Sequence, residues 1–189
     1  ETADKIEHEL ETLLPKRYLP SYLHENPKEI AAFFDIDRTI YEGLSQKDFL
    51  DYLIDTHQIS HAHGYKLLGD VLLEKTGAIS HHELMRRVFA SIAGWKEDRL
   101  DRLAQSFFKK RALTNIQAHI LPYIKNHQEE GHKIVLVTEV MHPLAKAFEH
   151  YFKANESIDT PLEVRNGVYT GNILRLCRQG EKRDAAALY

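Results

Sequence analysis

The chain of 189 residues contains one cysteine, Cys177, and has a formal net charge of only −3. A single cysteine excludes an internal disulfide and is typical of a reducing compartment, so we expect a cytoplasmic protein. The small net charge gives no electrostatic basis for binding nucleic acid or an anionic membrane surface. Residues 1–14 are acidic and amphipathic, unlike a secretory signal. No apolar run approaches the roughly 20 residues that a membrane-spanning helix requires.

Hydrophobic residues make up 43% of the chain and charged residues 28%, which is typical of globular proteins that bury a core. The length suits one domain, or one domain with a sizeable insertion. The sequence begins at Glu1 without a methionine and ends at Tyr189, within a segment that resembles the start of a helix. We therefore expect it to be part of a longer chain.

Two short apolar segments predict strands of a parallel sheet. Residues 30–34 are all apolar and suit a strand that is buried on both faces. Residues 133–138 form a second run, rich in β-branched side chains, that ends in Thr138. A helix is predicted over about 142–152. Strands that alternate with helices predict a Rossmann-like α/β core.

Between the two predicted strands, residues 45–130 carry a helical pattern throughout and predict four or five helices. Ser45 and Ser80 are each followed three residues later by an acidic residue, as in capping boxes that open helices. Thr114 is predicted to cap a further helix that ends at Gly131.

Residues 162–173 predict a β-hairpin whose two-residue turn is Asn166-Gly167, and a last helix is expected over 181–189. The whole pattern predicts an α/β protein with a Rossmann-like parallel-sheet core and an inserted all-α helical-bundle cap. The expected parts are an N-terminal helix and lead-in over 1–29, the core over 30–44 and 131–189, and the cap over 45–130.

Polar side chains follow both predicted strands. Asp35 and Asp37 come directly after the first strand, and Thr138 ends the second. Two carboxylates at a buried strand end are costly unless a divalent cation, or a substrate that needs a nucleophile, stabilises them. Functional groups collect at the carboxyl ends of strands in such sheets. Asp35, Asp37 and Thr138 all fall at such ends, so we expect a site for a cation or a substrate at that edge of the sheet.

The segment Phe33-Phe-Asp-Ile-Asp-Arg-Thr39 resembles the first signature of the haloacid dehalogenase superfamily, whose members are mostly phosphatases. Residues 135–138 resemble its second signature, and Gly180-Glu-Lys182 resembles its third. The phosphoserine-phosphatase-like branch also carries a helical cap between the first two signatures. In that branch a hairpin sequence similar to residues 166–171 precedes the lysine.

The resemblance implies a Mg²⁺-dependent phosphatase that hydrolyses a small phosphorylated metabolite, a phosphomonoester. Asp35 would be the nucleophile and Asp37 the general acid and base, while Thr138 and Lys182 would bind the phosphoryl group. Mg²⁺ would be held by the Asp35 side chain and the Asp37 backbone carbonyl. Arg87 of the cap would bind substrate. For Arg87, a salt bridge on a helix surface is the alternative interpretation.

The sequence departs from the pattern of that superfamily at three places. The fourth signature, which supplies a third magnesium carboxylate, would lie beyond Tyr189, so the core is expected to be incomplete. Leu44 stands where phosphoserine phosphatases carry a glutamate that binds the serine ammonium, which argues against phosphoserine as the substrate. Arg38 replaces the more usual glycine.

The missing signature leaves alternatives to an active phosphatase. The chain could be a truncated, non-catalytic domain that binds or regulates a partner, or a fragment of a longer enzyme whose remaining chain completes the core. An unpaired sheet edge would also favour a homodimer.

The sequence contains 12 histidines, and we considered a zinc site among them. His57 and His61 are four residues apart, but Ser60 is predicted to start a helix between them. No cysteine or carboxylate cluster nearby completes a ligand set, so this pair does not predict a zinc site.

Overall fold

The computed structural model describes residues 30–177 and Lys182. The helices predicted before residue 30 and over 181–189 therefore lie outside the described residues, apart from Lys182. Within the described part, none of the helices combines the length and the apolar character that crossing a membrane would need.

The elements follow one another in the order β1 (Ala31–Phe34), α1 (Ser45–Asp55), α2 (His61–Lys75), α3 (His81–Ala90), α4 (Glu97–Lys110), α5 (Leu121–Glu129), β2 (Lys133–Met141), α6 (His142–Phe152), β3 (Glu156–Thr160), β4 (Leu162–Arg165) and β5 (Val168–Ile173). Two short 3₁₀ helices, Ala112–Asn115 and Ala118–Ile120, lie between α4 and α5. The chain thus alternates strands with helices, and residues 45–130 form five α-helices.

Strands β1, β2 and β3 form a parallel sheet in that order, which confirms the predicted α/β fold class. Strand β2 is central, and residues 134–138 are buried on both of its faces. The apolar run that predicted β2 is what a parallel strand covered on both sides requires. Helices α5 and α6 pack against β2.

Strand β1 is less enclosed than its sequence predicted. Ala32 and Phe34 are buried, but Ala31 is half-buried and Phe33 is 36% exposed. The expectation that β1 is buried on both faces is therefore wrong for the face that carries Phe33. Apolar side chains alone do not distinguish a central strand from one whose second face is only partly covered.

The predicted helix start at Ser45 is confirmed, but Ser45 does not cap the helix. Helix α1 begins at Ser45, but the cap position belongs to Leu44, and the Ser45 hydroxyl donates instead to Asp37 at 2.6 Å. At Ser80 the prediction is confirmed, because the hydroxyl oxygen accepts a hydrogen bond from the backbone N–H of Glu83 at 3.1 Å.

The helix predicted to start at Thr114 is wrong. The Thr114 hydroxyl donates to the carbonyl of Arg111 at 2.8 Å within a 3₁₀ turn. The following residues pair with the segment after β1: the N–H of Gln117 donates to the carbonyl of Ile40 at 2.9 Å. This extended pairing delays α5 until Leu121. Gly131 follows its end with φ +76°, as predicted.

Helix α6 spans the predicted residues, and strands β4 and β5 form the predicted antiparallel hairpin. Asn166 and Gly167 both have positive φ, 53° and 74°, which matches a type I′ turn. The hairpin packs closely on α3, because a side chain at Gly171 would meet the Ala90 Cα at 3.0 Å.

Aromatic contacts join the helical segment to the sheet layer. Phe148 of α6 is fully buried and lies edge-on to Phe108 of α4, with ring centroids 4.8 Å apart, and to Tyr41, with centroids 5.8 Å apart. Such pairs contribute roughly 0.5–1.5 kcal/mol each beyond their buried area. The segment over 45–130 is thereby held against the elements that carry the strand ends.

Candidate active site

The parallel register brings the two predicted strand ends to one edge of the sheet. Phe34 pairs with Leu136, so Asp35 directly follows β1 beside the stretch of β2 that leads to Thr138. The Asp35 carboxylate accepts a hydrogen bond from the backbone N–H of Ile36 at 2.9 Å. Its side chain is 42% exposed, so this carboxylate can be reached by a solute.

Lys182 contacts the same carboxylate from far along the chain. Its Nζ donates to Oδ1 of Asp35 at 2.9 Å, and the lysine side chain is only 22% exposed. The structure thus brings together two residues that the sequence places 147 positions apart. Lys182 thus places a positive charge in hydrogen-bonding contact with the Asp35 carboxylate.

Asp37 is held by Ser45 at the start of α1. Its Oδ1 accepts hydrogen bonds from the backbone N–H of Ser45 at 2.9 Å and from the Ser45 hydroxyl at 2.6 Å. Burial raises the pKa of Asp37, and the negative charge of Asp35 raises it further. The Ser45 hydrogen bonds and the positive charge of Lys182 oppose this rise.

A tight turn after Asp35 orients the second carboxylate. The N–H of Tyr41 donates to the carbonyl of Ile36 at 2.8 Å, and the N–H of Arg38 donates to the carbonyl of Tyr41 at 2.7 Å. Arg38 has φ +63°, in the left-handed region that favours glycine. This conformation accounts for a preference for glycine at the position.

Thr138 lies in β2 and is 1% exposed. Its hydroxyl oxygen accepts a hydrogen bond from the backbone N–H of Val140 at 3.2 Å. Because a hydroxyl can accept and donate at once, its hydrogen can still be directed to a phosphoryl oxygen. The next residue is fixed by Thr160, whose hydroxyl donates to the carbonyl of Glu139 at 2.8 Å.

Among the residues that the structure describes, the hydrogen bonds of Arg87 lie within the helical segment over 45–130 and not at Asp35 or Lys182. It donates to Oδ1 of Asp70 at 2.7 Å and to Oε1 of Glu83 at 2.8 Å. Its side chain is 38% exposed, whereas that of Asp70 is 7% exposed. This geometry matches the salt-bridge interpretation of Arg87.

Sequence reasoning missed the residues that support the strand ends. The sequence predicts Ser45 as a helix cap, because a serine at a helix start gives the same signal whether it caps the helix or, as here, donates to a carboxylate. Gln46 Oε1 accepts from the backbone N–H of Met141 at 3.1 Å. His81 Nε2 lies 2.6 Å from Oε1 of Glu139. The sequence held no signal for these last two contacts, since they join residues far apart in the chain.

The donor atoms at this edge suit a hard divalent cation. Mg²⁺ prefers oxygen ligands and binds through one or two carboxylates with several waters. Lys182 and the Ile36 N–H both contact Oδ1 of Asp35, and Oδ2 is the second oxygen that could hold a cation. Ser45 donates to the side chain of Asp37 and not to its backbone carbonyl. That carbonyl could therefore be a second ligand of the cation.

Comparison with known proteins identifies the family. The sequence profile of the haloacid dehalogenase-like hydrolases matches residues 32–188. No curated protein matches at a significant level.

Among solved structures, a Bordetella pertussis Tohama I protein with unknown function is similar with a TM-score of 0.70 and 20% identity, covering 77% of this chain and 66% of that one. A HAD family hydrolase from Salmonella enterica subsp. enterica serovar Typhi gives a TM-score of 0.62 and 13% identity, covering 92% and 62%. A probable phosphoserine phosphatase from Vibrio cholerae gives a TM-score of 0.60 and 11% identity, covering 82% of this chain and 44% of that one. The chain therefore spans less than two thirds of the length of these structures.

Proposed function

The chain belongs to the haloacid dehalogenase-like hydrolases, and on this premise we propose that it is a Mg²⁺-dependent phosphatase of small phosphomonoesters. The observation that carries the proposal is the contact between Lys182 and Asp35 beside a half-buried Asp37 whose pKa is raised. Phosphoryl transfer through an aspartyl-phosphate intermediate requires a nucleophilic carboxylate, a cation and an acid.

In the first step the Asp35 carboxylate attacks phosphorus, and the bond from phosphorus to the ester oxygen breaks. Asp37 gives its proton to the departing alkoxide, which leaves as an alcohol. In the second step Asp37 takes a proton from water as the water oxygen attacks phosphorus. The bond from phosphorus to the Asp35 oxygen breaks, which releases inorganic phosphate and restores the Asp35 carboxylate. A raised pKa suits this double role, because it makes Asp37 easier to protonate than an ordinary aspartate.

Two further groups would bind the phosphoryl oxygens. The Lys182 ammonium neutralises negative charge on the phosphoryl group and on Asp35, and the Thr138 hydroxyl donates to an equatorial oxygen. A magnesium ion held by the Asp35 side chain and the Asp37 carbonyl would supply further charge neutralisation.

Residues 45–130 would act as a cap that selects the substrate and excludes bulk water. Helix α1 of this segment already contributes Ser45 to Asp37. Leu44 is apolar where an ammonium-binding glutamate would be needed, so we propose a phosphomonoester other than phosphoserine. Within this proposal Arg87 would reach substrate only by leaving Asp70 and Glu83.

The test is hydrolysis of p-nitrophenyl phosphate by this chain with and without Mg²⁺. We expect Mg²⁺-dependent turnover that Asp35→Asn abolishes. Asp51→Asn is the matched control, because Asp51 is a surface carboxylate paired with Lys47, and it should retain the activity. A folded wild-type chain without activity would instead favour the non-catalytic alternative, and an active Asp35→Asn variant would exclude Asp35 as the nucleophile.

A further inference from the structure

A second cluster of potential ligands lies away from the strand ends that carry the carboxylates. His127 is in the last turn of α5, Glu130 caps that helix, and His132 directly precedes β2. One ligand atom from each residue lies within 4.8 Å of the other two. From His132 to Thr138 the strand advances about 20 Å, so this cluster is separate from the proposed phosphatase site.

The backbone turn itself brings the two imidazoles together. The N–H of His132 donates to the carbonyl of His127 at 2.9 Å, and the N–H of Gly131 donates to the carbonyl of Gln128 at 3.1 Å. With Gly131 at φ +76°, these bonds form a Schellman motif. The two residues that the motif places side by side usually make an apolar contact, whereas here both are histidines.

The ligand atoms already lie at distances close to those of a coordinated ion. Nδ1 of His127 is 2.9 Å from Nδ1 of His132, and His132 Nδ1 is 3.3 Å from Oε2 of Glu130. Two nitrogens on one tetrahedral zinc ion are about 3.3 Å apart, given Zn–N distances of about 2.0–2.1 Å. A small opening of the histidine pair would therefore admit the ion.

Neighbouring groups fix two of the three side chains. The Asn126 amide donates to Oε1 of Glu130 at 2.9 Å, which leaves Oε2 directed at His132. The His127 ring lies edge-on to the ring of Phe34, with centroids 6.1 Å apart. Side chains that are already held lose less freedom when they bind a ligand.

We propose that His127, Glu130 and His132 form a binding site for a divalent transition-metal ion of the zinc class. Two imidazoles and a carboxylate are a ligand set that zinc accepts, with the fourth position left to water. In the absence of an ion, one Nδ1 must carry the hydrogen that the other accepts. When the metal binds, that hydrogen moves to Nε2 of the same ring. Both Nδ1 lone pairs then face the metal, and the two rings release no proton.

The experiment uses the chain without an affinity tag, treated with chelator and then saturated with Mg²⁺ so that the Asp35 edge is occupied. Titration with ZnCl₂ in a calorimeter should show one saturable site, and zinc should raise the unfolding temperature. Replacing zinc by Co²⁺ should give visible d–d absorption. Nitrogen NMR of the imidazoles should show His127 and His132 both protonated at Nε2 in the zinc-bound form.

Three variants test the assignment of ligands. His127→Gln, His132→Gln and Glu130→Gln should each weaken zinc binding by more than about tenfold, since even loss of a group that only orients a ligand costs 10–100-fold. The Glu130 side chain is 51% exposed, so we expect Glu130→Gln to fold. This variant keeps the test decisive even if a histidine variant fails to fold. The matched control is His57→Gln with His61→Gln, a pair whose rings are 5.7 Å apart, and it should bind zinc like the wild type.

The proposal is overturned if the wild-type chain shows no saturable zinc binding, or if Glu130→Gln and the folded histidine variants bind as tightly as the wild type. Either result would make the pair a simple hydrogen bond between two imidazoles. The zinc measurements do not depend on turnover, so they remain decisive even if the chain has no phosphatase activity.

Discussion

Two groups of charged side chains hold their carboxylates in opposite ways. At the sheet edge, burial raises the pKa of Asp37. On α3, hydrogen bonds from Arg86 and Arg87 lower the pKa of Glu83 to about 2. The surroundings of Glu83 thus stabilise its charge, whereas the surroundings of Asp37 favour its protonated form.

The two groups also differ in origin. Glu83, Arg86 and Arg87 lie three and four residues apart on one helix, a spacing that brings charges together on any helix surface. Asp37 instead lies near Asp35, Ser45 at the start of α1, and Lys182 from far along the chain. A carboxylate whose pKa is raised by burial, and which lies near a second carboxylate and a lysine, is the stronger candidate for chemistry. The following predictions test this contrast.

The largest effect among these variants is expected for Asp37→Asn, which should lower kcat/KM by about 10²–10⁴-fold because the leaving group loses its acid. The loss should be greater for an alkyl phosphate than for p-nitrophenyl phosphate, whose leaving oxygen needs little protonation. Glu83→Gln is the control, and steady-state kinetics on both substrates measure the contrast. Equal losses on the two substrates would contradict the role of Asp37 as an acid.

Lys182→Met should lower kcat by about 10²–10³-fold, because a half-buried cation beside a developing negative charge is lost. Lys182→Arg keeps the charge and should recover part of the activity. Lys125→Met removes an exposed lysine that pairs with Glu129 and should change nothing. A Lys182→Met variant with wild-type kcat would show that its contact with Asp35 is only structural.

Ser45→Ala should move the pH profile of kcat/KM rather than abolish activity. The Ser45 hydrogen bonds lower the pKa of Asp37, so removal of the hydroxyl raises that pKa further. Activity that needs protonated Asp37 falls as pH rises through this pKa. The limb of the profile that falls with rising pH should therefore shift to higher pH. The change in rate should be about tenfold or less, since one pKa unit corresponds to about 1.4 kcal/mol, or a factor of about ten. An unmoved limb would assign that titration to another group, and Ser91→Ala is the control.

Glu83→Gln should have the smallest effect, confined to stability. The folded pKa of Glu83 is about 2, against an ordinary value of 4.5. Its ion pairs therefore stabilise the fold above about pH 4.5, and this contribution is lost as pH falls toward 2. Thermal unfolding of wild type and variant should differ slightly at neutral pH and converge in acid. A difference that grows in acid would contradict the lowered pKa.

Much of the fold could be predicted from short-range patterns. The apolar run before Thr138, the helix over residues 142–152 and the turn at Asn166-Gly167 depend mainly on neighbouring residues, and the structure has all three. The helix predicted at Thr114 was wrong because residues near 115–117 pair with residues 40–42. Such tertiary pairing overrides local propensity.

In the candidate site, too, features set by neighbouring residues could be predicted, whereas contacts between distant residues could not. Asp35, Asp37 and Thr138 were predicted from their places at strand ends, and Lys182 only through the family resemblance. Ser45 was assigned the wrong partner, because a serine at a helix start can serve a backbone N–H or a distant carboxylate. The spacing of His127 and His132 matches neither one helix face nor one strand face, so only the turn at Gly131 reveals their contact.

The most direct test of the central claim is mass spectrometry of the Asp37→Asn chain, quenched in acid during reaction with an aryl phosphate and Mg²⁺. The asparagine should slow the attack of water, so the covalent intermediate accumulates. The account predicts one added phosphoryl group on the peptide that contains Asp35, absent when Asp35→Asn is combined with Asp37→Asn. Turnover without any adduct, or an adduct that persists in the double variant, would contradict it.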